Sequence, residues 1–126
     1  MWGWSTTFSW QDYLAVAKKL APGATEAEWR SAVSRAYYAL YHEARAFALT
    51  KQFNEPQVGR HEQLWMWLSG HSDADVKEWG SRGLDLWGAR TRADYKLNQA
   101  TITKLWAQMH VALAISLIDD LERLRA

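Results

Sequence analysis

The clearest helical pattern in the chain runs from residue 25 to residue 51: TEAEWRSAVSRAYYALYHEARAFALTK. Thr25 and Glu28 have the spacing of a capping box, in which each side chain satisfies a backbone amide at the start of a helix. Advancing 100° per residue then groups the apolar side chains on one face, with Tyr37 at its flank. That face consists of Trp29, Val33, Ala36, Leu40, Ala44 and Phe47. The pattern therefore predicts one long amphipathic helix, from Thr25 to about Lys51.

The opposite side of this helix carries unusual polar residues. It holds Ser31, Arg35, Tyr38, His42 and Arg45, which we call the polar stripe. Spacings of three, four and seven residues make their side chains neighbours on the helix surface. An ordinary solvated face mixes Lys and Glu, whereas this stripe combines two arginines, a histidine and a tyrosine. The stripe is the first candidate for a functional surface.

Helical periodicity continues on both sides of this stretch, and strand-like alternation is absent. A first short helix is predicted over 10–20, with Ser9 as its N-cap and Pro22-Gly23 after its end. A third helix is predicted from about Gln57 to Leu68, ending at Ser69-Gly70.

Two more helices follow. One is predicted from about Ala74 to Tyr95, weakened by three glycines. The last is predicted from about Gln99 to the C-terminus, with Asn98 as its cap. With short connections, these elements predict a single all-α domain over 1–126, an antiparallel bundle of four to five helices.

The composition excludes several classes of protein. Of the 126 residues, 48% are hydrophobic and 23% are charged, and none is cysteine, which excludes intrinsic disorder, disulfide scaffolds and thiolate chemistry. Lys and Arg number 15 against 14 acidic residues, so any attraction for nucleic acid must be local. We expect a cytoplasmic protein with no membrane contact, because no stretch resembles a membrane helix or a signal peptide. The nine tryptophans favour core packing and partner-facing anchors over a stacking platform for bases.

The last predicted helix is apolar nearly all round. One face holds Ile102, Leu105, Trp106, Met109, Leu113 and Leu117, and the other includes Val111, Ala114, Ile115 and Ile118. Such a helix either lies at the centre of a bundle or is shared with a partner. A domain this small hardly hides a helix completely. We therefore predict a homodimer, with this helix or the helix of the polar stripe at the contact.

Arg35 and His42 are the first candidate for chemistry. Two helical turns separate them, so both project from one face about 10 Å apart at the backbone. An imidazole that moves a proton beside a guanidinium that stabilises charge on phosphate suits phosphodiester cleavage without a metal. Tyr38 and Arg45 would support the pair. The alternative is an exposed His and Arg that merely share a solvated face.

The second candidate is the run from Arg90 to Tyr95. Arg90, Arg92, Asp94 and Tyr95 could form a cationic wall across a cleft from the polar stripe. The alternative is a helix end, where arginines meet the negative end of the helix dipole and Asp94 pairs locally.

Metal and cofactor sites are not predicted. The four histidines are scattered, and neither a His-Glu-x-x-His nor a Glu-x-x-His motif occurs. No glycine-rich phosphate loop follows a strand. We therefore expect no metal ion and no cofactor.

Two segments resemble a known family. Residues 34–46, SRAYYALYHEARA, look like the signature of HEPN domain proteins, the higher eukaryote and prokaryote nucleotide-binding family. The later segment Arg92-Ala93-Asp94-Tyr95 is similar to the Arg-x-x-Ala-Asp-Tyr segment that follows in many members. Both segments occur in the expected order.

The resemblance implies a dimeric bundle of four or five helices. Many such members are metal-independent ribonucleases of toxin–antitoxin and defence systems, in which an Arg and a His meet their symmetry mates in a cleft. Carried over, His42 would act on a ribose 2′-hydroxyl or on the leaving oxygen, Arg35 would hold the phosphate, and Tyr38 would orient either. Phosphate or RNA contacts would fall to Arg45, Arg90, Arg92, Asp94 and Tyr95.

Three functions stay open at this point. The first is an endoribonuclease of a prokaryotic toxin–antitoxin or defence module. The second is a non-catalytic module that binds a nucleotide, an RNA or a nucleotidyltransferase partner, as many HEPN domains do. The third is a purely structural dimer, in which the polar stripe pairs with carboxylates across the interface.

Overall fold

The computed structural model describes residues 8–98 and 101–125 of the chain, and over these ranges it is an all-helical bundle. Its five helices are α1 (Trp10–Leu20), α2 (Glu26–Thr50), α3 (Arg60–Ser69), α4 (Ala74–Tyr95) and α5 (Lys104–Arg125). No strand occurs in these ranges. The predicted all-α class is confirmed. None of the described helices is long and apolar enough to cross a membrane.

Local capping explains where the first two helices and α4 begin. Ser9 and Asp12 form a capping box at α1, and Thr25 and Glu28 form the predicted one at α2. Asp73 caps α4 by accepting hydrogen bonds from two backbone amides of its first turn. Side-chain oxygens at these positions satisfy amides that have no partner within the helix. The predicted bounds of α1 and α4 are confirmed for that reason.

The predicted starts of α3 and α5 are wrong. Helix α3 begins at Arg60 rather than Gln57, because Gly59 adopts a left-handed conformation with φ of 70°. Helix α5 begins at Lys104, where the hydroxyl of Thr103 accepts a hydrogen bond from the amide of Trp106. Asn98 lies in a turn and does not cap α5, and the predicted first residue, Gln99, lies outside the described residues.

Helix α2 is the central helix of the bundle. Almost half of its side chains are buried, and it packs against α1, α3, α4 and α5. The predicted face of α2 is buried from Val33 to Phe47, while Trp29 is half-buried. The apolar faces of α5 made it a candidate for the central position, but the structure gives that position to α2.

Helix α5 is buried on one side only. Its buried side chains include Val111, Ala114 and Ile118, which pack into the main core. Leu105 and Met109, on the other predicted apolar face, are 67% and 60% exposed. This part of α5 therefore leaves apolar surface uncovered in the isolated chain.

Tryptophan fills the core, as predicted. Every described tryptophan is buried or half-buried, and Trp65 and Trp79 lie deepest. Trp2 and Trp4 lie outside the described residues.

The end of α4 is held beside the beginning of α2. Arg30 on α2 donates hydrogen bonds to the backbone carbonyls of Arg92 and Ala93, in the last turn of α4. The Arg92 carbonyl also accepts a hydrogen bond from the amide of Lys96, and a guanidinium at the negative end of a helix dipole is favourable. This contact brings the segment from Arg90 to Tyr95 next to the polar stripe.

Candidate functional site

The polar stripe is open to solvent at Arg35 and His42, and both contact the same aromatic ring. Ser31, Arg35 and His42 are exposed, whereas Tyr38 and Arg45 are half-buried. The Cζ of Arg35 lies 5.4 Å from the ring centroid of Tyr13 on α1. The His42 ring stacks on that ring with centroids 6.3 Å apart and planes 15° apart. Tyr13 thus joins the two candidate residues in one surface, and the sequence analysis gave it no such role.

Arg35 differs from the other arginines near the site. Among the described residues, no carboxylate lies within ion-pair distance of Arg35. Arg35 instead makes a cation–π contact with Tyr13. A guanidinium without a carboxylate keeps its fork of N–H donors for an external anion such as phosphate. Arg35 is therefore placed to bind one.

The surroundings of His42 favour its neutral form, which can accept a proton. Partial burial and the nearby Arg45 guanidinium lower the pKa of His42 below its ordinary value of 6.5. Both causes disfavour the charged imidazolium. At neutral pH the ring is consequently in the neutral form that a general base requires.

Arg45 is tied to the connection between α2 and α3. Its Nε and Nη2 donate to the two carboxylate oxygens of Glu55, at 2.5 and 2.9 Å. Such a two-pronged ion pair is the geometry that arginine favours with a carboxylate. Arg45 therefore fixes the loop beside His42, and a ligand would compete with Glu55 for it.

Arg90 joins the polar stripe through Tyr38. Its guanidinium lies over the Tyr38 ring, 5.0 Å from the centroid, and donates a hydrogen bond to the Tyr38 hydroxyl. Arg90 Nε also donates to Asp94 Oδ2 at 3.0 Å, and that oxygen accepts a second hydrogen bond from Ser34 Oγ. The predicted local pairing of Asp94 is thus present, and it links α4 to α2.

Tyr95 and Arg92 leave this network in different directions. The Tyr95 hydroxyl accepts a hydrogen bond from Arg90 at 3.3 Å, and the side chain is otherwise exposed. The Cζ of Arg92 lies 5.4 Å from the ring centroid of Trp106, on α5. Of the second candidate group, Arg90, Asp94 and Tyr95 are brought to the stripe, and Arg92 is not.

His61 is a site residue that the sequence analysis missed. It lies at the start of α3, and its ring stacks on Tyr41 with centroids 4.0 Å apart. Its Nδ1 lies 2.6 Å from the hydroxyl of Tyr37, which is 24 residues earlier in the chain. Burial, Arg90 and His42 lower the pKa of His61 below 6.5. Local periodicity could not find this contact, because it depends on how α3 packs against α2.

The site has no arrangement suited to a metal ion. Within the residues that the structure describes, no group of three or more His, Asp or Glu side chains could hold one. His71 accepts a hydrogen bond from the amide of Asp73, and His110 is bonded to the carbonyl of Trp106. Both of these histidines have local structural partners. The chemistry of the site lies in its imidazoles, guanidiniums and phenols.

Comparisons of the chain with family models, with curated proteins and with solved structures find no match. The HEPN resemblance therefore depends on the motif residues alone, and membership of that family stays a prediction.

Proposed function

We propose that this protein is a HEPN-type, RNA-directed protein, and that Arg35 and His42 cleave an RNA phosphodiester without a metal ion. One observation carries the proposal. Arg35 and His42 are exposed on one surface and share Tyr13, and Arg35 has no carboxylate partner in the described chain. A guanidinium without an ion pair and a neutral imidazole are the two groups that this reaction requires.

The reaction follows from the two groups. Neutral His42 removes the proton of a ribose 2′-hydroxyl, and the resulting oxygen attacks the adjacent phosphorus. Arg35 donates hydrogen bonds to the phosphate oxygens, where negative charge increases. The bond from phosphorus to the 5′ oxygen breaks, its electron pair goes to that oxygen, and the oxygen takes up a proton, which leaves a cyclic phosphate and a 5′-hydroxyl.

The proposed active form is a homodimer. Within one chain the Tyr13 ring contacts both Arg35 and His42, so the two side chains flank it. A second copy placed against the polar stripe would bring an Arg35 beside the His42 of the first. The apolar surface of α5 at Leu105 and Met109 would add to such an assembly. Light scattering at micromolar concentration should show a dimer, and a monomer alone would contradict this part of the proposal.

The family resemblance supports a place for the protein in a cytoplasmic toxin–antitoxin or defence module. A nucleotidyltransferase encoded beside it would then be the partner protein. Co-purification of the two chains, compared with the Arg35→Ala variant, tests whether the partner contacts the polar stripe.

The second candidate is a non-catalytic module that binds RNA or a nucleotide. Two ion pairs favour it, because Arg45 is paired with Glu55 and Arg90 is paired with Asp94. Arg35 is the stripe's only arginine without an ion pair in the described chain. A single free guanidinium and an aromatic surface bind a nucleotide well, even where no bond is broken.

The test is RNA cleavage in the presence of a chelator by the wild type and by the Arg35→Ala and His42→Ala variants. We expect fragments with cyclic phosphate ends from the wild type, and a loss of about 100-fold or more in each variant. Arg82→Ala is the matched control, because Arg82 is an exposed arginine on α4 paired with Glu78.

Two other outcomes separate the candidates. Intact RNA, together with binding that weakens as salt rises and as Arg35 is removed, would establish the binding module. Neither cleavage nor salt-dependent binding would overturn both candidates and favour a structural dimer.

A further inference from the structure

His61 has an unusually well-defined setting for a histidine on a short surface helix. Its ring is stacked on Tyr41, and its Nδ1 is hydrogen-bonded to the hydroxyl of Tyr37. The Tyr38 ring lies edge-on to it, with centroids 6.1 Å apart. Two consecutive turns of α2 therefore supply its contacts, and the orientation of the imidazole is fixed.

The Tyr37 hydroxyl can hold His61 in either protonation state. Tyr37 is fully buried, and its oxygen accepts a hydrogen bond from the indole N–H of Trp65 at 3.0 Å. A hydroxyl has one donor and two acceptor positions. When His61 is neutral with its proton on Nε2, the Tyr37 hydroxyl donates to Nδ1. When His61 is charged, or neutral with its proton on Nδ1, Nδ1–H donates to the second lone pair of the same oxygen.

The other ring nitrogen of His61 is accessible. Nε2 has no hydrogen-bond partner in the described part of the chain. That part also contains no buried side-chain nitrogen or oxygen without a partner. Nε2 is therefore not fully buried and a ligand can approach it, while Nδ1 anchors the ring from the other side.

His61 and His42 border the same part of the site. The Tyr41 ring lies 4.0 Å from the ring of His61 and 5.4 Å from the ring of His42, measured between centroids. The charged group that faces His61 from α4 is Arg90, and the titratable groups that face it from α2 are His42, Tyr37, Tyr38 and Tyr41. The two imidazoles thus share the Tyr41 ring as a neighbour, and one phosphodiester can lie between them.

We propose that His61 is the second catalytic histidine of this site and that its Nε2 gives a proton to the leaving 5′ oxygen. The inference depends on the proposed ribonuclease function. His42 takes the proton of the 2′-hydroxyl, the bond from O2′ to phosphorus forms, and the bond from phosphorus to O5′ breaks. The electron pair of the broken bond goes to O5′, which takes the proton of His61. Separate imidazoles thus serve as base and acid.

The pH profile gives the first test. The base must be neutral and the acid charged, so kcat/KM should rise and then fall with pH. Because burial lowers the pKa of both His42 and His61 below 6.5, the maximum should lie below pH 6.5. His61→Asn keeps a polar group near Tyr37 but cannot transfer a proton. It should abolish the fall at higher pH and reduce kcat/KM by about 100-fold or more.

The leaving group gives the second and sharper test. The leaving group of uridine 3′-(4-nitrophenyl) phosphate is 4-nitrophenolate, which departs readily without taking up a proton. With this substrate His61→Asn and His61→Gln should recover most of the wild-type rate, whereas His42→Ala should stay inactive. His71→Gln is the matched control, since His71 lies on a loop and accepts a hydrogen bond from the backbone amide of Asp73.

The outcomes separate this inference from the proposed function. Suppose that the wild type cleaves RNA and that the His61 variants either lose the same factor in rate with both substrates or lose none with either. His61 is then not the acid, and the ribonuclease function stands. If the wild type cleaves neither substrate, the proposed ribonuclease function is wrong, and so is the role of His61 that depends on it.

Discussion

Two regions of the molecule differ sharply in packing: the contact between α3 and α4 is tight, whereas the polar stripe of α2 is open to solvent. Between α3 and α4, a Cβ added at Gly80 would lie 2.2 Å from the backbone nitrogen of Ser69, and one at Gly83 would lie 2.1 Å from the Trp65 ring. At the polar stripe, Arg35 and His42 are exposed, Arg35 contacts the ring of Tyr13, and His42 contacts the rings of Tyr13 and Tyr41. The first region has no room for an extra atom, and the second leaves polar atoms open to solvent.

The difference separates residues that hold the fold from residues that are free to act. A side chain locked by packing contributes to stability and cannot reach a ligand, whereas an exposed cation contributes little to stability. His61 combines the two cases, because Nδ1 is anchored by buried Tyr37 and Nε2 is open. Substitutions in the two regions should therefore differ strongly in their effect on unfolding.

The largest effect is expected at the tight contact. Gly83→Ala places a methyl group inside the van der Waals radius of the Trp65 ring, which is itself buried. We expect the free energy of unfolding to fall by about 2 kcal/mol or more, as in overpacked cores. Urea unfolding measures this change.

Gly88→Ala is the matched control on the same helix. A Cβ added there meets nothing within 4 Å, so alanine should stabilise α4 by up to about 1 kcal/mol. Equal effects of the two substitutions would contradict the packing seen between α3 and α4.

A smaller loss is expected at Tyr37, which links the core to the site. Tyr37→Phe keeps the ring but leaves the buried indole N–H of Trp65 without its acceptor. A buried donor without a partner costs about 1–3 kcal/mol. Thermal unfolding measures the loss, and Tyr95→Phe is the control because the Tyr95 hydroxyl is exposed. An unchanged melting temperature in Tyr37→Phe would show that this hydrogen bond does not support the core.

The sequence predicts helix bounds well where the decisive signal is local. Ser9, Thr25 with Glu28, and Asp73 cap their own helices, so the bounds of α1 and α4 and the start of α2 are readable from the chain. The starts of α3 and α5 are not. The left-handed Gly59 delays the start of α3 to Arg60, and Ile102 is buried without being helical.

Residues whose roles depend on neighbouring helices are the ones that periodicity misses. Gly80 and Gly83 were predicted only to weaken α4, and in fact they allow α3 to approach it closely. His61 and Tyr13 belong to α3 and α1, and they meet the polar stripe only because both helices pack on α2. The exposure of Arg35 and His42 could be predicted, because both lie opposite the buried face of their own helix.

The ion pair of Arg45 and Glu55 should give a pH-dependent effect of up to about 1 kcal/mol. Hydrogen bonds from Arg45 lower the pKa of Glu55 below its ordinary value of 4.5. The pair's contribution is therefore fully present above pH 4.5, and it is lost as the pH falls through the lowered pKa. Glu55→Gln removes this contribution at every pH.

The wild type and Glu55→Gln should accordingly differ in unfolding free energy at pH 7 and converge as the pH falls through the lowered pKa of Glu55, where the carboxyl becomes protonated. The measurement is denaturant unfolding at pH 7 and at a series of acidic pH values. A difference that grows on acidification would have the wrong sign for this ion pair.

The smallest effect on stability is expected at Arg35. Its side chain is exposed and makes no ion pair with a described residue, so Arg35→Ala should change the free energy of unfolding by no more than about 0.5 kcal/mol. The measurement is thermal unfolding at several protein concentrations, because a dimer is stabilised by mass action. A loss of 2 kcal/mol or more that grows with concentration would mean that Arg35 pairs with carboxylates of a second copy. The stripe would then hold a structural dimer together, and the comparison between the two regions would fail at its central residue.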